Sequence, residues 1–426
     1  MTKQERQRWL IAISLFISLF FLWGGGYNTS PVFLAALIKS EGWSHEQTAL
    51  IPSVLALANG FSAPVAGWLL DRIEARIVMS VGAVLALIGF AAASQSHSYE
   101  ALVIANIILG VGLGASTWLP ASLVVANWFG DRRGTALGIC TAGMESGGMV
   151  MTIFLGWVIA SGTWQVAGLT LTGWRMGYLL LAVPVLVIAL PLFLFIVQTR
   201  PPSAVQETVK EAAEHLPGLE VREALKTRAL WMLVICQLIF GLAVGAVFIH
   251  LVTFLRGAGY TEQIAALAVG ITLGIAALGK PTFGFFGDHI GGRNSLGIAF
   301  ALNAAGIIIL LGAHHVALLM IGLFVLGFSG AVPVALIPMV LAETLGLKRF
   351  GTIFGWLGLI VTIGLFFGPL IGGLLFDISG SYTLDFELAA AINLIASAAS
   401  FACVTPRIAK ESAAAASASG ASRHAV

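Results

Sequence analysis

The sequence predicts an all-α membrane protein of twelve transmembrane helices in two pseudo-symmetric six-helix bundles, with both termini in the cytoplasm. Three observations lead to this fold class: the composition, the number of long apolar segments and an internal repeat. Of the 426 residues, 58% are hydrophobic and 10% are charged, whereas a soluble domain carries about 25% charged residues. A water-soluble core could not hide this much apolar surface, so the chain belongs in lipid.

Twelve segments approach or exceed the length of about 20 apolar residues that a membrane-crossing helix needs. In chain order, spans 1 to 12 are expected at 9–38, 46–70, 76–95, 99–127, 134–160, 174–198, 229–255, 262–287, 294–312, 315–343, 349–376 and 384–405. The one long polar connection, 199–228, is charged and is expected to be partly helical. It separates an N-terminal bundle (1–198) from a C-terminal bundle (229–405), and the Ala/Ser-rich tail (406–426) is predicted to be disordered.

Charge placement predicts the orientation. Most lysines and arginines fall on the connections that share a side with the two termini, and positive charge favours the cytoplasmic side. Short loops and the lack of a recognisable targeting segment favour a multi-pass protein of a bacterial inner membrane, and a monomer is the default expectation.

Several classes of site are not indicated. The glycine clusters lie inside apolar spans without a phosphate-cradling lysine, so no nucleotide or nucleic-acid partner is expected. The three cysteines, Cys140, Cys236 and Cys403, also fall inside spans, without zinc-ligand spacing. No metal, cofactor or catalytic residue is predicted, and the absence of a nucleophile motif or paired catalytic carboxylates argues against an enzyme.

The two halves repeat at a constant offset of 217 residues. Six pairs of identical residues share this offset without a gap: Gly42/Gly259, Pro64/Pro281, Gly67/Gly284, Asp71/Asp288, Arg76/Arg293 and Gly134/Gly351. Some transporters are built from two parallel repeats, with the solute site near the bilayer midplane between them. The repeat therefore predicts a site between the halves.

The stretch G-W-L-L-D-R-I-E-A-R after span 2 and its copy G-F-F-G-D-H-I-G-G-R after span 8 resemble the loop motif of the major facilitator superfamily. Within that superfamily the chain resembles the monocarboxylate-transporter-like branch. The resembling stretches are Y-N-T-S-P-V-F-L-A-A-L (27–37), E-G-W-S (41–44), N-W-F-G-D-R-R-G-T-A-L-G-I-C-T-A-G (127–143), G-W-R (173–175), H-L-V-T-F-L (250–255) and G-K-P-T-F-G (279–284). The run beginning at Arg132 is the most specific of them.

Lys280 in span 8 is the first candidate for a functional site. A lysine at this depth costs roughly 2.5–3.5 kcal/mol on insertion scales and is a functional hypothesis by default. The resemblance implies a substrate-carboxylate-binding cation here, usually an arginine, whereas lysine is a point charge without the bidentate fork. The alternative is a structural ion pair.

Glu145 in span 5 is the second candidate. The resemblance makes spans 5 and 8 neighbours, so Glu145 could pair with Lys280 and act as a proton switch; a fixed salt bridge or a gate residue stays equally open. Proton-coupled relatives often have an acid one turn before the cation. This sequence has Ala276 there, which leaves Glu145, His250 or Lys280 itself for proton coupling.

Further candidates would complete a pocket for a small organic acid. His250, in the outer half of span 7, would face an outer cavity if the resemblance holds, and packing is its commoner role. Tyr27 and Asn28 of span 1 with Thr117 and Trp118 of span 4 offer hydrogen-bond donors and aromatic walls.

The two loop motifs are interpreted as gates. Asp71 and Asp288 can meet the positive end of a neighbouring helix and loop arginines, closing the cytoplasmic side. The complete set of gating candidates is Asp71, Arg72, Arg76, Arg132, Arg133, Asp288 and Arg293.

Together these features predict a secondary transporter of a small organic anion, most simply a monocarboxylate such as lactate or pyruvate, by proton symport with alternating access. Its expected partners are the carboxylate, protons and the lipid bilayer. For an oxalate/formate-type exchanger the resemblance would imply a second cation in span 11, and residues 350–375 hold none. Efflux of a lipophilic or zwitterionic compound is favoured if Glu145 neutralises Lys280 permanently. A non-transporting receptor is disfavoured by the short loops.

Overall fold

The computed structural model describes residues 3–166, 169–200 and 218–406. Within them, twelve helices are long and apolar enough to cross a membrane, which confirms the predicted number of spans. Large apolar side chains such as Phe61, Ile153 and Phe195 are 64%, 71% and 81% exposed, as expected for a surface that faces lipid. Residues 407–426 of the predicted disordered tail and residues 201–217 of the linker lie outside the described residues.

The N-terminal half contains spans 1 to 6 and a short hairpin. Its helices are Lys3–Leu19, the π-helical turn Phe20–Gly24 and Ser30–Glu41 (span 1), His45–Leu70 (span 2), Ala75–Ser94 (span 3), Tyr99–Ser116 and Trp118–Trp128 (span 4), Arg133–Ala160 (span 5), and Gly173–Pro184, the π-helical turn Val185–Ala189 and Leu190–Phe195 (span 6).

The C-terminal half begins after the linker. Its helices are Arg228–Gly257 (span 7), Glu262–Ile290 (span 8), Gly292–Leu310 (span 9), Val316–Gly330 and Pro333–Leu345 (span 10), Phe350–Ser379 (span 11) and Thr383–Phe401 (span 12). The linker was expected to be partly helical, and its described part contains the short helix Val221–Ala224.

Span 1 differs from the predicted segment 9–38. Its helix begins at Lys3, and a turn at residues 27–29 separates it from Ser30–Glu41. Pro31 occupies the first turn of that second helix, where its missing N–H removes no intrahelical bond. The turn places Tyr27 and Asn28 at a break in the helix.

A two-stranded antiparallel hairpin between spans 5 and 6 was not predicted. Strand β1, Thr163–Val166, pairs with β2, Leu169–Thr172. β-branched residues favour this conformation. The indole of Trp164 donates to the carbonyl of Val158 and packs edge-on against Trp157, which fastens the hairpin to the end of span 5.

The two halves meet backbone to backbone at repeat-related glycines. Span 2 packs against span 11 and span 5 against span 8. A methyl group added at Gly351 would overlap the carbonyl oxygen of Gly67, and one added at Gly134 would overlap that of Gly284. Small residues let helix backbones approach closely in membranes, so these contacts hold the halves together on either side of the molecular centre.

Candidate functional site

A cavity of about 280 Å³ lies between the halves. Its polar lining residues are Tyr27, Asn28, Asn59, Thr117, Glu145 and Thr362, and its aromatic ones are Trp23, Tyr27, Trp118, Phe240, Phe248 and Phe354. Apolar walls with a few polar groups are typical of a small-molecule site.

Lys280 and Glu145 form an ion pair across the two halves. The Lys280 ammonium Nζ lies 2.5 Å from Oε2 of Glu145 and 3.3 Å from the carbonyl oxygen of Thr141. Thr141 and Glu145 are four residues apart and therefore share one face of span 5. A methyl group at Gly138 would overlap the Lys280 carbonyl, so this glycine lets span 8 come close enough for the pair to form.

The pair presents its acidic partner to the cavity. Glu145 is part of the cavity lining, whereas Lys280 is fully buried and outside it. Removing one partner of a buried ion pair costs about 3–5 kcal/mol because the other charge stays uncompensated. A solute in the cavity therefore meets a carboxylate first, and reaches the ammonium only if Glu145 moves or becomes neutral.

The four predicted residues of spans 1 and 4 all line the cavity. Tyr27 stacks on Trp23 with ring centroids 4.6 Å apart. The amide nitrogen Nδ2 of Asn28 donates to the carbonyl of Met144 at 3.0 Å. The hydroxyl of Thr117 donates to its own helix, at the Leu113 carbonyl.

Trp118 joins the two halves. Its indole N–H donates to the carbonyl oxygen of Val334 in span 10 at 2.8 Å, and its ring packs edge-on against Phe354 of span 11. This side chain therefore closes the wall between spans 4 and 10.

His250, expected to face an outer cavity, is not among the residues that line this cavity. Its Nδ1 lies 3.2 Å from Oδ2 of Asp385, and its ring stacks on Tyr382 at 4.4 Å. Gly372 of span 11 leaves room for this ring, because a methyl group there would contact both His250 and Asp385. His250 is thus held between spans 7, 11 and 12, away from Lys280.

Asp385 is a buried ionisable residue that the sequence reasoning missed. It is 1% exposed but sits in the first turn of span 12, where an acid is expected to face water. No pattern in the sequence distinguishes it from an acid that faces water.

Asp71 and Asp288 each bind the N-terminus of a helix in the opposite half. Asp71 accepts hydrogen bonds from the amides of Gly351 and Thr352, both at 2.9 Å, and from the Thr352 hydroxyl at 2.5 Å. We call this contact the Asp71 clasp. Helix N-termini favour negative charge. Burial raises the pKa of the Asp71 carboxyl, and the hydrogen bonds from Thr352 and Gly351 oppose that rise.

The Asp288 clasp is the repeat-related contact at span 5. Asp288 accepts hydrogen bonds from the amide of Gly134 at 2.6 Å, the amide of Thr135 at 2.8 Å and the Thr135 hydroxyl at 2.6 Å. We call the face of the molecule with both clasps the clasp side, and its charge pattern predicts that it is cytoplasmic.

The predicted gating arginines are not partners of these aspartates. Arg72 stacks on Trp68, 3.8 Å from the ring centroid, and Arg133 donates to the carbonyls of Phe129 and Ala126. The remaining three, Arg76, Arg132 and Arg293, are exposed or half-buried. Within the described chain none of the five forms an ion pair with Asp71 or Asp288; both carboxylates instead accept hydrogen bonds from backbone amides and a threonine hydroxyl.

Among the described residues, side-chain hydrogen bonds between the halves are confined to the cavity and the clasp side. For residues 3–166, 169–200 and 218–406, every side-chain hydrogen bond that crosses between halves belongs to Trp118, Lys280, Asp71 or Asp288. The structure therefore represents a conformation closed on the clasp side.

Comparison with known proteins agrees with this architecture. The family model of the Major Facilitator Superfamily matches residues 15–279 and 259–425. The chain is 25% identical over 401 residues to the uncharacterized MFS-type transporter YcxA of Bacillus subtilis, covering 90% of this chain and 92% of the relative. It is 24% identical over 395 residues to monocarboxylate transporter 13 of Bos taurus, covering 91% and 87%.

Solved structures show the same fold. The fucose:proton symporter FucP of E. coli aligns with a TM-score of 0.73 at 16% identity, over 92% of this chain and 98% of FucP. A XylE structure aligns with a TM-score of 0.76 at 15% identity, over 95% and 98%. The matched families are membrane transporters and not enzymes. The chain belongs to the major facilitator superfamily.

Proposed function

We propose that the protein is a secondary transporter of a small organic anion, most simply a monocarboxylate such as lactate or pyruvate, working by proton symport with alternating access. The observation that carries this proposal is the buried Glu145–Lys280 pair, which joins the two halves and turns its carboxylate toward the cavity. The similarity to monocarboxylate transporter 13 supports the solute class.

Charge balance at the pair explains why a proton and an anion would travel together. The resting pair is neutral. An anion alone would leave a net negative charge in a buried site, and a proton on Glu145 alone would leave a net positive one. Each uncompensated charge costs several kcal/mol away from water. A proton on Glu145 together with a carboxylate on Lys280 restores neutrality, so the two are favoured only as a couple.

Breaking and re-forming the clasps would open the cavity alternately to the two sides of the membrane. While Asp71 and Asp288 hold the opposing helix N-termini, the clasp side is closed and a solute reaches the cavity from the other side. When the solute binds Lys280 and a proton binds Glu145, the ion pair between the two halves is lost. The clasps then break, the halves rock, and the solute leaves toward the clasp side.

A second candidate is export of a lipophilic or zwitterionic compound. The lining of the cavity favours it, because aromatic and aliphatic side chains predominate and Lys280 is already neutralised by Glu145. A zwitterion could contact Glu145 through its cationic group while the pair stays intact.

Uptake into proteoliposomes would test the proposal. The panel is labelled lactate, pyruvate, acetate and oxalate, with and without an inward proton gradient, for the unmodified protein and Lys280→Ala. Lys226→Ala, which removes an exposed lysine, is the matched control. We expect gradient-driven uptake of a monocarboxylate that Lys280→Ala abolishes and Lys226→Ala leaves unchanged.

Two results would contradict the proposal. If none of the four acids is taken up, the solute is none of these carboxylates and the export candidate is favoured. If uptake occurs but survives Lys280→Ala, the lysine is a structural member of an ion pair and recognition lies elsewhere in the cavity.

A further inference from the structure

Gln237 of span 7 is fully buried, and neither its amide nitrogen nor its amide oxygen has a hydrogen-bond partner among the described residues. A buried polar group without a partner is rare in folded proteins and calls for an explanation. Glutamine can donate twice and accept at its oxygen, so this side chain leaves its whole hydrogen-bonding capacity unused in the conformation closed on the clasp side.

The position of Gln237 relates it to the cavity. Phe240, Val244 and Phe248 line the cavity from span 7, and they follow Gln237 by three, seven and eleven residues. This spacing puts all four on one helix face. Three residues correspond to about 4.5 Å along a helix axis. Gln237 is therefore nearer than Phe240 by this distance to Arg228, where span 7 begins.

The beginning of span 7 is on the clasp side. The connection that leads into it is tied to the start of span 11, because Glu220 binds Arg349 and the amide of Leu219 donates to the Leu345 carbonyl. Gln237 therefore lies between the cavity and the Asp71 clasp, on the face directed toward the centre of the molecule.

Ser122 has a similar position in the N-terminal half. It follows the cavity-lining Trp118 by one turn toward the clasp-side end of span 4, is fully buried, and has a hydroxyl without a partner among the described residues. Other helical serines, such as Ser14, Ser18 and Ser146, donate to the carbonyl four residues earlier. Ser122 does not make this common local bond.

We propose that Gln237 and Ser122 line the passage that opens on the clasp side, where they hydrogen-bond the departing solute and the water around it. The two residues come from central helices of opposite halves, lie one turn beyond the cavity, and are buried in the conformation closed on the clasp side, without a hydrogen-bond partner among the described residues. Their amide and hydroxyl donors suit a carboxylate. This inference depends on the alternating access of the proposed function, but not on the identity of the solute or on proton coupling.

The unsatisfied amide of Gln237 and hydroxyl of Ser122 also favour opening of the clasp side. Leaving a buried donor or acceptor unsatisfied destabilises the conformation in which it is buried. Opening gives Gln237 and Ser122 access to water, so the penalty applies to the closed conformation alone. Replacing Gln237 by leucine removes the penalty, and we expect the ratio of open to closed molecules to fall about tenfold.

Cysteine accessibility would test the passage. In a protein with Cys140, Cys236 and Cys403 replaced by alanine, Gln237→Cys or Ser122→Cys supplies the only thiol. The control protein keeps native Cys236 as its only thiol. This neighbour is equally buried but faces span 12, where its Sγ contacts the Ala396 carbonyl. A membrane-impermeant thiol reagent is added from the clasp side of oriented vesicles.

We expect both new thiols to react at least tenfold faster than Cys236, and faster still when Asp71→Asn and Asp288→Asn weaken the clasps. Reaction rates within about twofold of Cys236, in the intact and the weakened proteins alike, would overturn the inference. The labelling rates are measured without any solute, so they do not depend on the uptake experiment. If labelling succeeds but no acid is taken up, the proposed solute is wrong and the proposed passage is not.

The bias toward opening has a separate readout. Labelling of Ser122→Cys from the clasp side is compared with Gln237 present and with Gln237→Leu. A roughly tenfold slower reaction supports the role of the orphaned amide, and an unchanged or faster reaction shows that the amide does not influence opening.

Discussion

Asp71 and Asp288 occupy equivalent positions of the internal repeat, and each binds the N-terminus of a helix in the other half. Their partners are equivalent too, because Gly351 and Thr352 follow Gly134 and Thr135 by the same 217 residues. The clasp side is therefore closed at two points related by a pseudo-twofold axis, with the same three donors at each.

Weakening one clasp should slow transport without affecting solute binding, because the clasp side re-closes less favourably after the solute has left. In Asp71→Asn the side chain keeps one acceptor oxygen but loses its charge, and an anion at a helix N-terminus contributes about 0.3–2 kcal/mol. We expect turnover to fall several-fold while the dissociation constant of the solute stays within twofold. Initial uptake rates and equilibrium binding measure the two quantities.

The control for this prediction is Asp131→Asn, which changes an exposed aspartate of the loop before span 5. It should alter neither quantity. A loss of binding that parallels the loss of transport would show that Asp71 acts on the cavity and not on closure.

Neutralising Glu145 should uncouple the proton from the solute. Glu145→Gln imitates the protonated acid in shape and charge, so Lys280 stays available to an anion at every pH. We expect exchange of labelled for unlabelled solute to persist, while accumulation driven by a proton gradient is lost. Counterflow and gradient-driven uptake, measured in the same vesicles, separate these activities.

Gradient-driven accumulation that survives in Glu145→Gln would contradict this role and direct attention to another titratable group. A protein that is inactive in both assays but folded would indicate that Glu145 is required for the structure of the pair.

The His250–Asp385 contact is expected to stabilise the C-terminal half without contributing to solute recognition. His250→Gln retains a hydrogen-bonding side chain and should leave the KM for uptake within about twofold. Asp385→Ala leaves the His250 ring nitrogen unpaired, and we expect a loss of about 1–3 kcal/mol in stability. Thermal unfolding in detergent and uptake kinetics test both statements. A many-fold rise of KM in His250→Gln would place the histidine on the solute path after all.

The Glu220–Arg349 contact should make stability depend on pH. The Arg349 hydrogen bond, 2.9 Å at its shortest, holds the pKa of the Glu220 carboxyl below its usual range. A carboxyl with a lowered folded pKa stabilises the protein above its unfolded pKa, about 4.3, and this contribution is lost as the pH falls through the folded value.

Glu220→Gln should therefore lower the melting temperature at pH 7 and have less effect below about pH 4. The carboxylate is 41% exposed, so the difference at pH 7 should not exceed about 1 kcal/mol. Glu387→Gln, which changes another exposed glutamate, is the control. A difference that is independent of pH would show that charge is not involved.

Much of the fold was predictable from the sequence, because lipid requires each crossing segment to satisfy its own backbone hydrogen bonds and to expose apolar side chains. Hydropathy therefore locates the spans. The repeat offset places Asp71 and Asp288 at the same level of both halves. Charge is so rare in the spans that Lys280 and Glu145 could be singled out from the sequence.

Hydropathy does not show which way a helix face points, and the other features depend on rotation. His250 could have faced the cavity from span 7, and only packing shows that it faces Asp385. Gln237 and Ser122 are uncharged, so nothing in a linear apolar segment distinguishes them from satisfied neighbours. The hairpin after span 5 is too short to give a periodic pattern.

The glycine contacts between the halves have a consequence for the speed of the transport cycle. Interlocked side chains must change rotamer before two packed helices can separate, and each such change adds to an activation barrier. At Gly67–Gly351 and Gly134–Gly284 the touching surfaces are smooth main chain, which can part and meet again without repacking. The activation barrier to opening of the clasp side would then be set mainly by rupture of the two carboxylate contacts. The rate of opening would therefore depend on a few hydrogen bonds.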